Sequence, residues 1–156
     1  ITDGLDGLNA GILMQAFLVL GTIAFFQHRM DLAAFCGAIA GALSGFLWFN
    51  FYPARFFMGD TGAVSLGATL AVVAALLNSL FILPFLVVIY LLEALSVGIQ
   101  LFSKKFFQKK VFLAAPLHHH FEAKNWPETK VTVRFWIING IFAILGLLGG
   151  ILGSGV

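Results

Sequence analysis

Five runs of this chain are apolar for nearly as long as a bilayer is thick, and Glu93 is the only charged residue inside any of them. A hydrocarbon core of roughly 30 Å takes about 20 helical residues at about 1.5 Å each. The runs are Leu8–Phe26, Leu32–Phe49, Gly62–Leu77, Leu80–Phe102 and Phe135–Leu152. In lipid every backbone N–H and C=O must be paired within the protein, which leaves helices or a closed barrel. None of the runs alternates apolar with polar as barrel strands do. The expected fold is therefore all-α, a polytopic transmembrane helical bundle with about five spans. A composition of 60% apolar and 10% charged residues agrees and sets aside soluble and disordered classes.

The third run is short, and only Asn78-Ser79 separates it from the fourth, which contains Pro84. A tight turn is the expected connection, with a kinked re-entrant hairpin as the alternative. Gly37 and Gly41 form a small-xxx-small pair of the kind that lets helices approach closely in lipid. The chain opens on Ile1-Thr2-Asp3-Gly4 with no basic leader and no Met, so it is expected to start inside a longer protein. Cys36 stands alone, which excludes an intrachain disulfide.

Five spans sort the polar sequence onto two sides. Residues 1–7, 50–61 and 103–134 fall on one, and eight of the nine Lys and Arg residues lie there; only Arg29 is opposite. The positive-inside rule makes that side cytoplasmic. It also carries Asp3, Asp6, Asp60, Glu122, Glu128 and three histidines. A mixed-sign cluster on one face is what a cytoplasmic active site would look like.

Three segments there carry chemistry. In Asp3-Gly4-Leu5-Asp6-Gly7 two carboxylates share one side of a helical turn, with glycines that admit close backbone approach; a helix cap and turn is the equal alternative. Asp60 stands just before an apolar helix. It could cap free N–H groups, or hold Mg²⁺ beside a phosphate at the helix N-terminus. Phe56 and Phe57 adjoin it and could stack on a base or anchor at the membrane interface. In the last segment Lys104, Lys105, Lys109 and Lys110 surround Phe106-Phe107, a pattern suited to an anionic leaflet.

Then comes Pro116-Leu117-His118-His119-His120-Phe121-Glu122, which gathers three of the four histidines. Histidine changes charge near neutral pH and binds phosphate or metal. The bland readings are a solvated loop or a chance metal patch. No paired Cys/His spacing supports zinc. Consecutive helical residues point about 100° apart and alternate residues of a strand share a side, so all three rings cannot face one ligand unless the backbone is irregular. Glu93 sits too deep to snorkel and is expected to have a polar partner on a neighbouring helix.

Thr2-Asp3-Gly4-Leu5-Asp6-Gly7-Leu8, Gly45-Phe46-Leu47-Trp48-Phe49-Asn50, Met58-Gly59-Asp60, Pro116–Glu122 and Arg134-Phe135-Trp136-Ile137-Ile138, in this order and topology, resemble the polyprenyl-phosphate N-acetylhexosamine-1-phosphate transferases. The likeness covers essentially the whole chain and corresponds to the C-terminal half, residues 1–156, of one ten-helix membrane transferase domain. It is closest to the muramoyl branch of that family. The resemblance implies Mg²⁺-dependent transfer of phospho-N-acetylmuramoyl-pentapeptide from its UDP conjugate to undecaprenyl phosphate. UMP is released, and the product is the first lipid-linked intermediate of peptidoglycan, hence of cell-wall growth, shape and division. It carries Asp60 over as the metal ligand, and Asp3, Gly4, Leu5, Asp6 and Phe57 as the uridine side of the pocket. His118, His119 and His120 carry over as active-site residues.

The partners so implied are UDP-N-acetylmuramoyl-pentapeptide, undecaprenyl phosphate, the lipid bilayer of a bacterial inner membrane and the N-terminal half of the protein. A homodimer is compatible with this reading, and nucleic acid is not expected. One departure stands out: the family's Asp-Asp pair belongs to an earlier cytoplasmic loop, and this chain has no Asp-Asp pair. The rival readings are a sister transferase using UDP-N-acetylglucosamine and, from another class, a membrane metal-transporter fragment with histidines as its site. The latter wants polar residues inside the spans, where only Glu93 is charged.

Overall fold

A computed structural model of the chain describes residues 5–108 and 111–153. The helices run α1 (Leu8–Phe26), α2 (Met30–Asn50), α3 (Gly59–Leu76), α4 (Leu83–Leu86), α5 (Val88–Phe107), α6 (Leu117–Glu122) and α7 (Glu128–Gly153), with a 3₁₀ turn at Leu80–Ile82 before α4. No strand occurs among the described residues. Four helices, α1, α2, α3 and α7, are each long and apolar enough to cross a membrane. The bent pair Leu80–Leu86 and Val88–Phe107 makes a fifth span if counted as one. The fold is an all-α multi-pass membrane bundle, as the apolar runs require.

Helix α1 is the hub. Two thirds of it (67%) is buried, against 17% of α2, 17% of α3 and 28% of α7. Leu8, Ile12, Leu13, Phe17, Leu20 and Ile23 are wholly enclosed, with α2 and α7 as its main neighbours. A uniformly apolar helix does not announce which face turns inward. Its polar residues do, because lipid offers them no hydrogen bond. On α5 the buried positions are Ile89 and the polar Glu93, Ser96, Gln100 and Ser103, whereas Leu91, Leu95, Ile99 and Phe102 face outward. The helix is amphipathic with its apolar side outermost.

The expected tight turn at Asn78-Ser79 is present: Asn78 has φ 51°, and its N–H and that of Ser79 donate to Ala75 O and Ala74 O at 3.0 and 2.8 Å. The fourth run is not one straight helix. It bends by 74° between α4 and α5, at Val87, three residues beyond Pro84. Pro84 lies in the first turn of α4, where a missing N–H is harmless. The Leu86 carbonyl at the break instead accepts Asn139 Nδ2–H of α7 at 3.0 Å, and the same amide donates to Gln15 Oε1 of α1 at 3.0 Å. A side chain satisfying the freed carbonyl is a recognised way to hold a kink.

Among the described residues the Gly37/Gly41 pair meets no neighbour: nothing lies within 4 Å of a Cβ placed at either. Helix α2 meets the bundle through Cys36, Ala40, Leu43 and Leu47. A position one residue on is rotated about 100°, so both glycines face out. The close approach falls at Gly11, where a Cβ would come 2.2 Å from the Trp136 indole of α7.

Helix ends also differ from the apolar runs. Helix α3 starts at Gly59, which has φ 68°, rather than at Gly62. Helix α7 starts at Glu128, seven residues before the apolar run at Phe135. Pro127 pre-sets its first turn, and Glu128 suits the positive end of the helix. Residues 103–134 are thus largely helical, with the end of α5, all of α6 and the start of α7 inside them.

Candidate functional site

Asp6 ties the polar segments together at one end of the bundle. Its backbone N–H donates to Glu128 Oε1 at 2.7 Å, its carboxylate Oδ2 accepts the Ala54 N–H at 2.8 Å, and its carbonyl accepts the Thr132 hydroxyl at 3.4 Å. The three segments sorted to one side by charge therefore meet through one residue. Gly7 permits this by adopting φ 75° at the start of α1. With its oxygen committed to Ala54, Asp6 shapes the 51–58 loop. Leu5 is 3% exposed and packs with Leu8, Ile12, Ile89, Val131 and Phe135, so it faces the core. Asp3 and Gly4 lie outside the described residues, as do Lys109 and Lys110.

The 51–58 loop is pinned from inside. Buried Asn50 donates its Nδ2–H to Phe56 O at 2.9 Å, and the Arg55 N–H donates to Phe49 O at 2.9 Å. Asn9 of α1 donates to Met58 Sδ at 3.4 Å, while its Oδ1 accepts the Tyr90 hydroxyl of α5. The two phenylalanines part company here. Both are exposed, at 45% and 65%, but the Phe56 ring lies 5.4 Å from Phe46 and 5.6 Å from Phe49, and no ring partner is found for Phe57 among the described residues.

Asp60 is the second residue of α3, exposed, and caps no N–H of its own helix. The simple capping alternative is thereby removed. Among the described residues no three His, Cys, Asp or Glu side chains come together as a ready metal cage. An exposed carboxylate at a helix start still fits Mg²⁺, which commonly takes one or two protein carboxylates and fills its octahedron with water and phosphate oxygens.

The histidines stand on α6, one short helix after Pro116; the His118 and His119 rings lie against each other, centroids 4.2 Å apart, and each of the three rings has a different polar partner. His118 Nδ1 lies 2.6 Å from Glu93 Oε1 of α5, the two side chains 1% and 0% exposed. Glu93 thus finds the polar partner expected of it. His119 Nδ1 lies 2.6 Å from Glu122 Oε2 near the surface. His120 Nδ1 accepts the Leu113 N–H at 3.2 Å, and its ring meets Phe112 edge-on at 5.7 Å.

Residues not singled out in the sequence hold this arrangement. Buried Gln100 donates to Phe112 O at 3.0 Å and accepts the N–H groups of Val111 and Phe112 at 3.1 and 3.0 Å, laying the loop back along α5. Trp126 stacks on Phe121 at 4.9 Å and carries Lys130 Nζ and the Arg134 guanidinium at 4.5 and 4.4 Å from its ring centre. These cation–π contacts fasten α6 to α7. A lone amide such as Gln100 near the end of an apolar run was the one signal available for it.

The polytopic bundle gathers carboxylates, histidines and cations at one end. Residues 1–78, half of the 156, match Glycosyl transferase family 4, and the chain belongs to that family. It is 47% identical over 148 residues to the phospho-N-acetylmuramoyl-pentapeptide-transferase of Rubrobacter xylanophilus, covering 95% of this chain and 45% of that protein. It is 48% identical over 163 residues to that of Protochlamydia amoebophila, covering 94% and 40%. For that of Borrelia hermsii the identity is 45% over 162 residues, covering 94% and 46%. The chain spans less than half the length of each of these relatives.

Proposed function

We propose that this chain forms the C-terminal half of a bacterial inner-membrane transferase. That enzyme moves phospho-N-acetylmuramoyl-pentapeptide from UDP to undecaprenyl phosphate, with its site on the cytoplasmic face. The observation that carries the reading is the convergence through Asp6 of the three charge-bearing segments, in a chain whose named relatives share that activity. A water-soluble nucleotide and a lipid phosphate can meet only at the membrane surface, where this cluster would lie.

In the proposed reaction an oxygen of the lipid phosphate forms a bond to the sugar-bearing phosphorus of the donor. The bond from that phosphorus to the bridging oxygen breaks, and UMP leaves with the electron pair. Such transfers demand alignment and charge neutralisation more than covalent help from the protein. Asp60 is the residue that would hold Mg²⁺, which when bound supplies Lewis-acid neutralisation of the diphosphate. Exposed Phe57 offers a face for the uracil ring. Lys130 and Arg134, held on the Trp126 ring, offer positive charge suited to phosphate.

The protein containing this chain, purified in detergent or nanodiscs, should release UMP from UDP-N-acetylmuramoyl-pentapeptide only with undecaprenyl phosphate and Mg²⁺ present. Turnover of UDP-N-acetylglucosamine alone would give the activity to the sister class. Histidine-dependent metal flux into proteoliposomes, without turnover of either sugar, would replace the enzyme reading with a transporter.

A further inference from the structure

We propose that Glu93 is a positioning residue: it holds the His118 imidazole with its proton on Nδ1 and leaves Nε2 as the ring nitrogen free to act. The inference rests on the transferase reading for its kinetic arm alone. Glu93 is the only acid in the apolar runs, fully enclosed, with Oε1 2.6 Å from His118 Nδ1. In the proposed arrangement the ring Nδ1–H donates and the carboxylate oxygen accepts across this contact. A histidine whose one nitrogen is held by a carboxylate has its tautomer and ring direction fixed.

Stability gives no reason for an acid at this position. Burying a carboxylate is costly even when paired, and an apolar side chain of similar volume is often as good or better. The surroundings would welcome one: Glu93 borders a small cavity of about 160 Å³ otherwise lined by Ile89, Leu92, Leu117, Phe121, Phe135 and Ile138. Its second oxygen, Oε2, has no partner. The dry wall strengthens the one hydrogen bond that is made. The bond also crosses from a membrane helix to the short helix carrying the histidines, so it fixes where α6 sits as well as which way the ring points. Neither His119, paired with a surface glutamate, nor His120, held by a backbone N–H, has such a partner.

The test uses the protein labelled with ¹⁵N-histidine in nanodiscs, with His118→Ala to assign the signal. The His118 ring should show an unprotonated Nε2 and a strongly deshielded Nδ1–H. Glu93→Leu should abolish that preference, while Glu93→Gln, whose carbonyl can still accept, should retain it with a weaker bond. Kinetically, Glu93→Leu should lower kcat about tenfold to a hundredfold, the range seen when the partner behind a functional histidine is removed. KM for the nucleotide sugar should stay unchanged, and Glu93→Gln should fall between. In a His118→Ala background Glu93→Leu should cost nothing more. A protonated Nε2 in the wild type, a wild-type kcat in Glu93→Leu, or full additivity with His118→Ala would each overturn the proposal. If Glu93→Leu does not fold, the graded response of Glu93→Gln decides. A wild type without turnover but with the expected tautomer would sink the transferase reading and leave the positioning of His118 standing.

Discussion

Asp60 and Glu93 are both carboxylates on apolar helices, and the bundle treats them in opposite ways. Asp60 stands exposed in the first turn of α3 and caps nothing. Glu93 is sealed inside with one oxygen spent on His118. The rim around Asp60 is open and includes exposed Phe57; the wall around Glu93 is closed, with His118 on its carboxylate and Phe121 lining the small cavity beside it. An exposed group unused by the fold is available for a ligand, whereas an enclosed one has already been assigned its work by the protein. Changes on the rim should therefore cost activity and leave stability alone, and changes in the wall should cost stability too.

The largest effect expected on this division is that of Asp60→Asn. Loss of the charge that Mg²⁺ requires should remove at least ~3 kcal/mol of transition-state stabilisation, about a hundredfold or more in turnover. The thermal midpoint should hardly move, since an exposed acid in a first helical turn contributes only about 0.3–1 kcal/mol. Wild-type turnover, or loss of turnover only together with unfolding, would erase the distinction between rim and wall.

The three histidines sharpen it next. His118→Ala should lose the most activity and some stability, because it leaves Glu93 buried without a partner. His119→Ala should cost little, since its contact with Glu122 lies at the surface, where even a charged pair is typically worth only about 0–1 kcal/mol. His120→Ala should fall between, freeing the Leu113 N–H at the loop. Equal and complete inactivation by all three, in protein that still melts normally, would mean that the rings act as one unit despite their different partners.

How much of this was legible in the sequence follows from where each signal comes from. Apolar length is additive along the chain, so α1, α2, α3 and α7 could be located by counting. The bend at Val87 could not, because its cause is an amide on Asn139 some fifty residues later. Glu93 announced that it needed a partner, but only the fold could bring His118 to it. Gly37 and Gly41 could not be placed, because spacing gives a helical stripe without saying which neighbour it meets. At Asp60 the residue alone left cap and ligand open, and a side chain that bonds nothing in its own helix removed the first.

The wall has a purely mechanical test at Gly11. An added methyl would sit 2.2 Å from the Trp136 ring, so Gly11→Ala must displace that ring or push α1 and α7 apart. Overpacking of that kind costs about 1–3 kcal/mol, while Gly37→Ala, with open space around it, should be nearly neutral. The difference in thermal midpoint between the two variants measures how tightly the hub is closed. Similar midpoints would mean that the two helices slide apart freely.

The smallest effects expected come from the neighbouring phenylalanines, and they divide rim from wall within two residues. Phe56 rests between Phe46 and Phe49, so Phe56→Ala should lower stability by about 1 kcal/mol, the usual worth of an aromatic contact beyond its buried area, and leave KM for the nucleotide nearly unchanged. Phe57 projects outward, and stacking of a base on an aromatic ring contributes about 1–3 kcal/mol. Phe57→Ala should therefore raise KM for the nucleotide sugar by about fivefold or more without moving the thermal midpoint. Titrating UMP against both variants and following the melt of each would separate the two roles. A KM effect at Phe56 with none at Phe57 would put the base against the inner wall, and the open rim would then belong to the metal and phosphates alone.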